Sequence, residues 1–224
     1  MELNVDKCKI LSIKSRDENN FAYSFNKYNN SFALEHVDHI KDLGVIIDSD
    51  LLFDLHISEK VNKAFQMLEI INRNFVDTDE KTFLMLYKTM VRSHLEFAGS
   101  VWNPYKVNQI KSLEKVQKRA TKLVRPCRIL SYKERLIHLK LPTLKFRRLR
   151  GDTIEVFKIL NGYYDDSAIP NLPRNFDTRT RGNSFKLMHV RARLDQRKFF
   201  FCSRVVGYWN SLPDYVVKAS SINI

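Results

Sequence analysis

Apolar and polar residues alternate near the start of the chain, which is the pattern of half-buried strands. Residues 7–14 (KCKILSIK) predict one strand, and residues 21–25 (FAYSF) predict its hairpin partner. Residues 41–50 (KDLGVIIDSD) predict a further short strand that contains Gly44, and a glycine inside a strand is typical of a close backbone approach. Together these strands predict a β-sheet that is too small to be stable alone.

After Asp54 the apolar residues recur at steps of three and four, which predicts helices. Thr78 or Asp79 is expected to cap the second of these helices. A third helix is predicted over about 106–125, and its polar side is basic. The first helix carries one apolar stripe, formed by Ile57, Val61, Ala64, Phe65, Leu68, Ile71 and Phe75. The basic side of the third helix carries Lys111, Lys115, Lys118, Arg119, Lys122 and Arg125.

Local start and stop signals place two later helices. Ser131 is followed three residues later by Glu134, which fits a capping box at the start of a short helix. Asn161-Gly162 is a typical C-terminal stop for a helix over about 143–161. The middle of the chain is therefore predicted to be a helical bundle.

The end of the chain is less regular, because prolines and arginines dominate residues 163–194. A last helix is predicted from Asp195 towards Trp209. The fold class is therefore mainly α (α+β), with a small N-terminal β-hairpin or sheet remnant, an α-helical bundle and an irregular basic C-terminal segment. The predicted domains are 1–53 (β-rich remnant), 54–162 (helical bundle) and 163–224 (basic irregular segment with a C-terminal helix).

Charge changes this picture, because it is concentrated in one part of the chain. The formal net charge is +13. Residues 1–56 hold 6 Lys and Arg against 10 Asp and Glu, whereas residues 57–224 hold 32 against 15. Within residues 106–150 the count is 15 against 2. A basic stripe of this density is typical of a nucleic-acid partner, and a merely solvated basic face is the alternative.

Several features bear on the cellular compartment. The chain has no run of eighteen apolar residues and no apolar signal-peptide core in MELNVDKCKI, so we expect no membrane partner. Its three cysteines lie far apart without a CxxC pair, which suits a reducing compartment. We therefore expect an intracellular protein of the cytoplasm or nucleus.

The residues NGYYDDSA contain a tyrosine followed by any residue and two aspartates, which is the metal-binding signature of reverse transcriptases. Catalysis by paired metals needs carboxylates that are held rigidly toward one point, at a tight β-hairpin in these polymerases. Here Asp165 and Asp166 follow a predicted helix end and precede SAIPNLP, with no apolar strands around them. We therefore interpret them as a solvated loop, and no catalytic residue or metal site is predicted.

Six stretches occur in an order that resembles the C-terminal third of reverse transcriptases of non-LTR, LINE-type retrotransposons, in particular jockey-type elements. LNVDKCKIL resembles the segment that follows the catalytic hairpin, and HIKDLGVIIDSDLLFDLHI resembles the next block, where a strand pair leads into the thumb. The other stretches continue in the same order: LYKTMVRSHLEFAGSVWNPY, LEKVQKRATKLV, SYKERLIHLKLPTLKFRRLRGDTIEVFKILNG and RVVGYWNSLPDYVV.

The resemblance implies roles for particular residues. Lys7 matches the palm lysine that follows the catalytic turn, and Leu43, Gly44 and Val45 match the strand near the primer terminus. The helices from 57 to 125 match the thumb, which holds the template–primer duplex. The family is an RNA-directed DNA polymerase that uses Mg²⁺. The catalytic turn is expected upstream of Met1 with the fingers and most of the palm, so we expect this chain alone to be inactive and to hold no cofactor.

A thumb needs no acid–base chemistry, only a rigid bundle with a cationic face. The expected partners are RNA or an RNA–DNA hybrid template–primer and the missing upstream palm and fingers. A hybrid is close to A-form, so contacts go to phosphate, sugar and shape. The residues predicted to contact the phosphate backbone are Lys111, Lys115, Lys118, Lys122, Arg147, Arg148 and Arg150.

Other candidate sites are weaker. His36 and His39 lack further ligands at the usual spacing for a metal. The aromatic residues near the C-terminus could stack on bases, but their helical spacing favours the core; they are Phe199, Phe200, Phe201, Tyr208 and Trp209.

Three functions remain open: a nucleic-acid-binding remnant of a reverse transcriptase, a stand-alone basic helical module for RNA or DNA, and a helical domain for protein interaction whose charge serves solubility. Salt-dependent binding to nucleic acid separates the third function from the other two.

Overall fold

The computed structural model confirms a mainly α fold with a small β part. The chain divides into an N-terminal unit (residues 1–59) and a C-terminal unit (residues 60–224), each with its own internal contacts. Among the described residues, no helix is long and apolar enough to cross a membrane. The described residues are 4, 7–13, 22–27, 30–75, 78–176 and 182–222.

The N-terminal unit contains six short strands that form three two-stranded sheets in its described part. β1 pairs in parallel with β4, β2 is antiparallel to β3, and β5 is antiparallel to β6. The strands are β1 (Lys9–Ile10), β2 (Ser24–Lys27), β3 (Asn30–Ala33), β4 (Glu35–His36), β5 (His39–Asp42) and β6 (Val45–Asp48).

The predicted hairpin between residues 7–14 and 21–25 is wrong. β2 pairs instead with β3, the next strand along the chain, while β1 pairs with the more distant β4. Period-two alternation indicates which residues share a face of a strand, but it does not indicate which strand is the neighbour.

The turn after β6 is held by a single carboxylate. Leu51 and Phe53 both have positive φ angles, 54° and 57°, which L-residues rarely adopt. Asp48 compensates, because its carboxylate accepts backbone hydrogen bonds from Leu52 at 3.0 Å and from Phe53 at 2.6 Å. This turn leads directly into the first helix at Asp54.

Ten α-helices follow in the described residues. α2 runs through a π-helical turn (Tyr87–Val91) into α3, and a 3-10 turn (Arg125–Cys127) follows α5. The helices are α1 (Asp54–Asn74), α2 (Glu80–Leu86), α3 (Arg92–Glu96), α4 (Gly99–Trp102), α5 (Val107–Leu123), α6 (Tyr132–His138), α7 (Leu144–Leu160), α8 (Asp195–Phe199), α9 (Phe201–Asn210) and α10 (Asp214–Val217).

Local signals in the sequence place several helix ends correctly. Asp79 caps α2 by accepting a hydrogen bond from the backbone of Thr82, so Asp79 rather than Thr78 is the cap. The capping box of Ser131 and Glu134 is present at the start of α6. α7 ends at Leu160 with Asn161 as its C-cap, and Gly162 follows with a positive φ of 69°.

Most residues of the apolar stripe predicted on α1 are buried. On α1, Ile57, Val61, Ala64, Leu68 and Ile71 are buried, whereas Phe75 at the end of the stripe is 45% exposed. The predicted last helix is two helices, α8 and α9, because the backbone is extended at Phe200.

A second part of the core joins the end of α7 to the C-terminal segment. Val156 and Phe157 pack with Leu187, Val205 and Trp209 in one buried cluster. Residues on either side of position 162 therefore share a core, so α9 has a fixed position against α7.

Side-chain amides fasten the irregular segment before α8 to α9. Asn210 accepts from the backbone N–H of Leu187 and donates to its carbonyl, both at 2.9 Å. Asn183 donates to the carbonyls of Trp209 and Leu212 at 2.9 and 3.1 Å. These bonds add to an isolated antiparallel bridge between Arg174 and Leu187, and together they satisfy the backbone of the segment.

Candidate nucleic-acid interface

α5 separates apolar and cationic residues on opposite sides. Leu113, Val116 and Ala120 are fully buried against the bundle. The predicted phosphate contacts on this helix are all exposed; they are Lys111, Lys115, Lys118 and Lys122. Their spacing of four, three and four residues places the ammonium groups on one face, along roughly 16 Å of helix.

A groove lies beside this basic face, between α5 and α1. It is shallow and open to solvent, with a volume of about 560 Å³, and it is lined by Phe65 and Glu69 from α1 and by four cations from α5, Lys115, Lys118, Arg119 and Lys122. Arg119 forms an ion pair with Glu69, which is the single acid of the lining. The groove is therefore strongly cationic, with an apolar phenyl ring in its wall.

The buried side of α5 is fixed by a polar network around Gln117. The Tyr87 hydroxyl donates to Gln117 Oε1 at 2.7 Å. The Gln117 amide donates to the Tyr132 hydroxyl at 3.2 Å and to the Pro142 carbonyl at 3.0 Å. Burial raises the pKa of Tyr87 well above its ordinary value, so its hydroxyl keeps its proton.

Glu114 extends this network to α7. It accepts a hydrogen bond from the Tyr132 hydroxyl and another, at 3.1 Å, from the backbone of Leu144 at the start of α7. The ammonium of Lys118 lies over the Tyr132 ring, 5.3 Å from the centroid of that ring. The cationic face therefore rests on a helix whose rotation is fixed by buried bonds.

The three predicted arginines of α7 point in different directions. Arg150 is exposed. Arg147 is half-buried and bound to Glu96 through two hydrogen bonds, which raise the pKa of Arg147. Arg92 approaches the same carboxylate at 3.6 Å. Arg147 is therefore engaged within the bundle.

Arg148 was predicted to contact the phosphate backbone, but its side chain is buried. Its side chain is only 6% exposed, and neither terminal guanidinium nitrogen has a hydrogen-bond partner among the described residues. Burial lowers the pKa of Arg148. The prediction failed because adjacent helical residues are about 100° apart, so Arg147, Arg148 and Arg150 cannot share one face.

The residues singled out by resemblance lie in the N-terminal unit. Lys7 is exposed, and its backbone N–H donates to the Asn4 carbonyl at 3.2 Å. Val45 begins β6 and is buried. Leu43 and Gly44 are not in a strand: they form the turn between β5 and β6, with φ angles of 43° and 83°. The glycine provides a positive φ for a tight hairpin turn, and Leu43 is 88% exposed at its tip.

The two aspartates of the YYDD stretch lie in an exposed turn after α7, as the sequence predicts. Asp165 accepts hydrogen bonds from the backbone and the hydroxyl of Ser167 at 2.8 and 2.7 Å, which lower its pKa. Within described residues 161–173 no strand flanks the turn. Asp165 is thus engaged locally, in a turn that its own chain completes.

Two contacts of the interface have no signal in the sequence. Glu69 and Phe65 meet the α5 cations although about fifty residues separate them, and no periodicity connects the two helices.

The aromatic residues near the C-terminus are not all buried. Phe201 and Trp209 are buried, but Phe200 is 55% exposed and Tyr208 is 49% exposed, so their assignment to the core is wrong.

Comparison with known proteins gives one distant relative. The chain is 29% identical over 138 residues to a Caenorhabditis elegans protein described only as uncharacterized, a stretch that covers 59% of this chain and 70% of that protein. No protein-family model matches the chain. No solved structure matches it.

Proposed function

We propose that the chain binds the phosphate backbone of RNA, or of an RNA–DNA hybrid, in the basic groove between α1 and α5. The observation that carries this proposal is the lining of the groove, in which Lys115, Lys118, Arg119 and Lys122 face a single acid, Glu69. A cluster of cations at the surface attracts phosphates and releases their counterions on binding.

The form of the cationic surface favours backbone contact over reading of bases. Lysines are flexible point charges, which neutralise phosphates without selecting a base. Their row along α5 spans roughly 16 Å, several nucleotides of a duplex. In A-form duplexes the deep groove is closed to side chains, so recognition through phosphate and shape is the mode that such a surface serves.

Together with the sequence resemblance, this surface supports a more specific proposal. The chain would be the thumb-containing, nucleic-acid-binding portion of an RNA-directed DNA polymerase of a non-LTR retrotransposon. The helices α1 to α5 would hold the template–primer, while the catalytic aspartates would belong to a segment outside this chain. We propose that the 224 residues alone do not incorporate nucleotides.

The direct experiment is a salt titration of binding. A fluorescently labelled RNA–DNA hybrid is titrated with the purified chain, and the anisotropy is measured between about 50 and 200 mM salt. We expect the logarithm of the association constant to fall linearly with the logarithm of salt concentration. Binding that is absent, or insensitive to salt, contradicts the proposal and favours a protein-interaction domain.

A second experiment separates a polymerase portion from a stand-alone nucleic-acid-binding module. An in-frame aspartate hairpin in the coding sequence upstream of Met1 supports the polymerase proposal. Its absence favours the stand-alone module. Nucleotide incorporation by the purified chain on a primed template contradicts the assignment of catalysis to another segment.

A further inference from the structure

The junction between α8 and α9 is built on a buried guanidinium. Arg204 Nε and Nη2 each donate to the Asp152 carboxylate at 3.0 Å, and both side chains are nearly inaccessible to solvent. Arg204 also donates to the carbonyls of Phe199 and Ser100. The backbone at Phe199 is therefore held by a charge-assisted hydrogen-bond network through its carbonyl.

Two aromatic rings stack directly at this junction. The rings of Tyr105 and Phe199 are 4.1 Å apart between centroids and 1° from parallel. The ammonium of Lys198 lies 5.4 Å from the centroid of Phe199. Phe200 comes next in the chain, between the two helices, and is 55% exposed. The Phe200 ring is thus largely exposed to solvent, and it directly follows a residue whose ring is stacked and whose carbonyl is held by Arg204.

The segment that precedes Phe200 in the chain is cationic. From residue 191 to residue 199 the exposed charged side chains are four cations and one acid; these are Arg191, Arg193, Arg197, Lys198 and Asp195. Exposed aromatic rings interleaved with cations are the combination by which proteins hold single-stranded nucleic acid, since the ring stacks on a base and the cations follow the backbone. A duplex cannot use the ring in this way, because its bases are already stacked.

We propose that Phe200, which follows the stacked Phe199 ring in the chain, receives an unpaired base of a single-stranded segment of nucleic acid. This inference rests on the proposed function and adds a second contact of a different kind, on elements other than α1 and α5. The groove would hold the phosphates of a duplex. The exposed Phe200 ring, here called the Phe200 platform, would instead stack on a base of an unpaired strand.

The test uses two ligands and two variants of the full chain. The ligands are a single strand that contains 2-aminopurine and an RNA–DNA hybrid of equal length. Phe200→Leu removes the ring while keeping an exposed apolar side chain, and Tyr215→Leu is the control, because Tyr215 is 79% exposed and follows Asp214 outside the cationic segment. Unchanged unfolding midpoints establish that both variants fold.

We expect the wild-type chain to quench 2-aminopurine fluorescence on binding. Phe200→Leu should lose this quenching and weaken single-strand binding about tenfold, while its affinity for the hybrid stays within about twofold. Replacing the bases by abasic residues should remove the difference between Phe200→Leu and wild type. Tyr215→Leu should resemble wild type throughout.

The outcomes distinguish this inference from the proposed function. If wild type and Phe200→Leu bind the single strand equally, or if quenching persists in Phe200→Leu, the platform is wrong while the groove stands. If the wild-type chain binds neither ligand in a salt-dependent way, the proposed function fails and the platform fails with it. If Phe200→Leu weakens both ligands equally, the ring has no preference for unpaired bases and the inference is again overturned.

Discussion

Arg119 of α5 and Glu69 of α1 form an ion pair within the basic groove, between helices that are far apart in the sequence. The pair connects the two walls of the groove, and it also neutralises one of the four cations in the lining. Both side chains are partly exposed, so the pair contributes little to stability. Its larger consequence is electrostatic, because Glu69 competes with a phosphate for Arg119.

Replacing Glu69 by glutamine should therefore strengthen nucleic-acid binding. We expect Glu69→Gln to raise affinity for an RNA–DNA hybrid about threefold at low salt, with the gain shrinking as salt increases, because exposed charges are screened. Anisotropy titrations at two salt concentrations measure this change. The control is Glu155→Gln, which removes a carboxylate paired with Lys158 outside the groove lining. Equal gains from both variants would mean that only net charge matters.

The Tyr87–Gln117 hydrogen bond should be important for stability. Both residues are fully buried, and Tyr87→Phe would leave Gln117 Oε1 without its donor. We expect a loss of about 1–3 kcal/mol in the free energy of unfolding, measured by urea denaturation. Tyr215→Phe, at an exposed site, should change this free energy by less than about 0.5 kcal/mol. A Tyr87→Phe variant as stable as wild type would contradict the network.

Arg148 should be dispensable for binding, contrary to the expectation from sequence. Its charge is buried without a hydrogen-bond partner on either terminal nitrogen among the described residues. Three carboxylates act on its charge, and each has other partners: Glu114 accepts hydrogen bonds from the Tyr132 hydroxyl and the Leu144 backbone, Glu96 pairs with Arg147, and Asp152 pairs with Arg204. Arg148→Met should therefore leave hybrid affinity within about twofold of wild type, and stability should be unchanged or higher, because an apolar side chain of similar length avoids the desolvation cost. A large loss of affinity would place Arg148 in the interface.

Acid should weaken the start of α6. Hydrogen bonds from Ser131 hold the pKa of Glu134 below its ordinary value of 4.5, so the ionised carboxylate is favoured in the folded state. Because the folded pKa is depressed, this stabilisation is present above pH 4.5 and is lost as the pH falls through the folded pKa. The stability difference between wild type and Glu134→Ala should thus narrow on acidification from neutral pH. Urea midpoints across this range measure it, and a difference independent of pH would contradict the capping box.

The helices could be predicted largely from sequence, because their signals are local. The α1 stripe, the cap at Asp79, the capping box at Ser131 and the stop at Gly162 each depend on residues within a few positions of one another. Strand pairing could not be predicted in the same way. β1 pairs with β4 across twenty-six residues, and nothing in an alternating pattern specifies that partner.

The candidate site shows the same difference: features that depend on local spacing could be predicted, whereas features that depend on how helices pack could not. The α5 lysines follow from helical spacing alone. Glu69 and Phe65 could not be assigned to the groove, since their position depends on how two helices pack. Phe200 was assigned to the core because aromatic residues at helical spacing usually are buried, but the break between α8 and α9 interrupts that spacing and leaves the ring exposed.

The most direct measurement compares salt dependence between two double variants with equal loss of charge. Lys115→Gln/Lys122→Gln removes two cations from the groove, whereas Lys81→Gln/Lys88→Gln removes two exposed cations that do not line it. If phosphates bind in the groove, the first variant should lose about two from the magnitude of the slope of log K against log salt, and the second should keep the wild-type slope. Identical slopes and affinities for both variants would contradict binding in the α1–α5 groove.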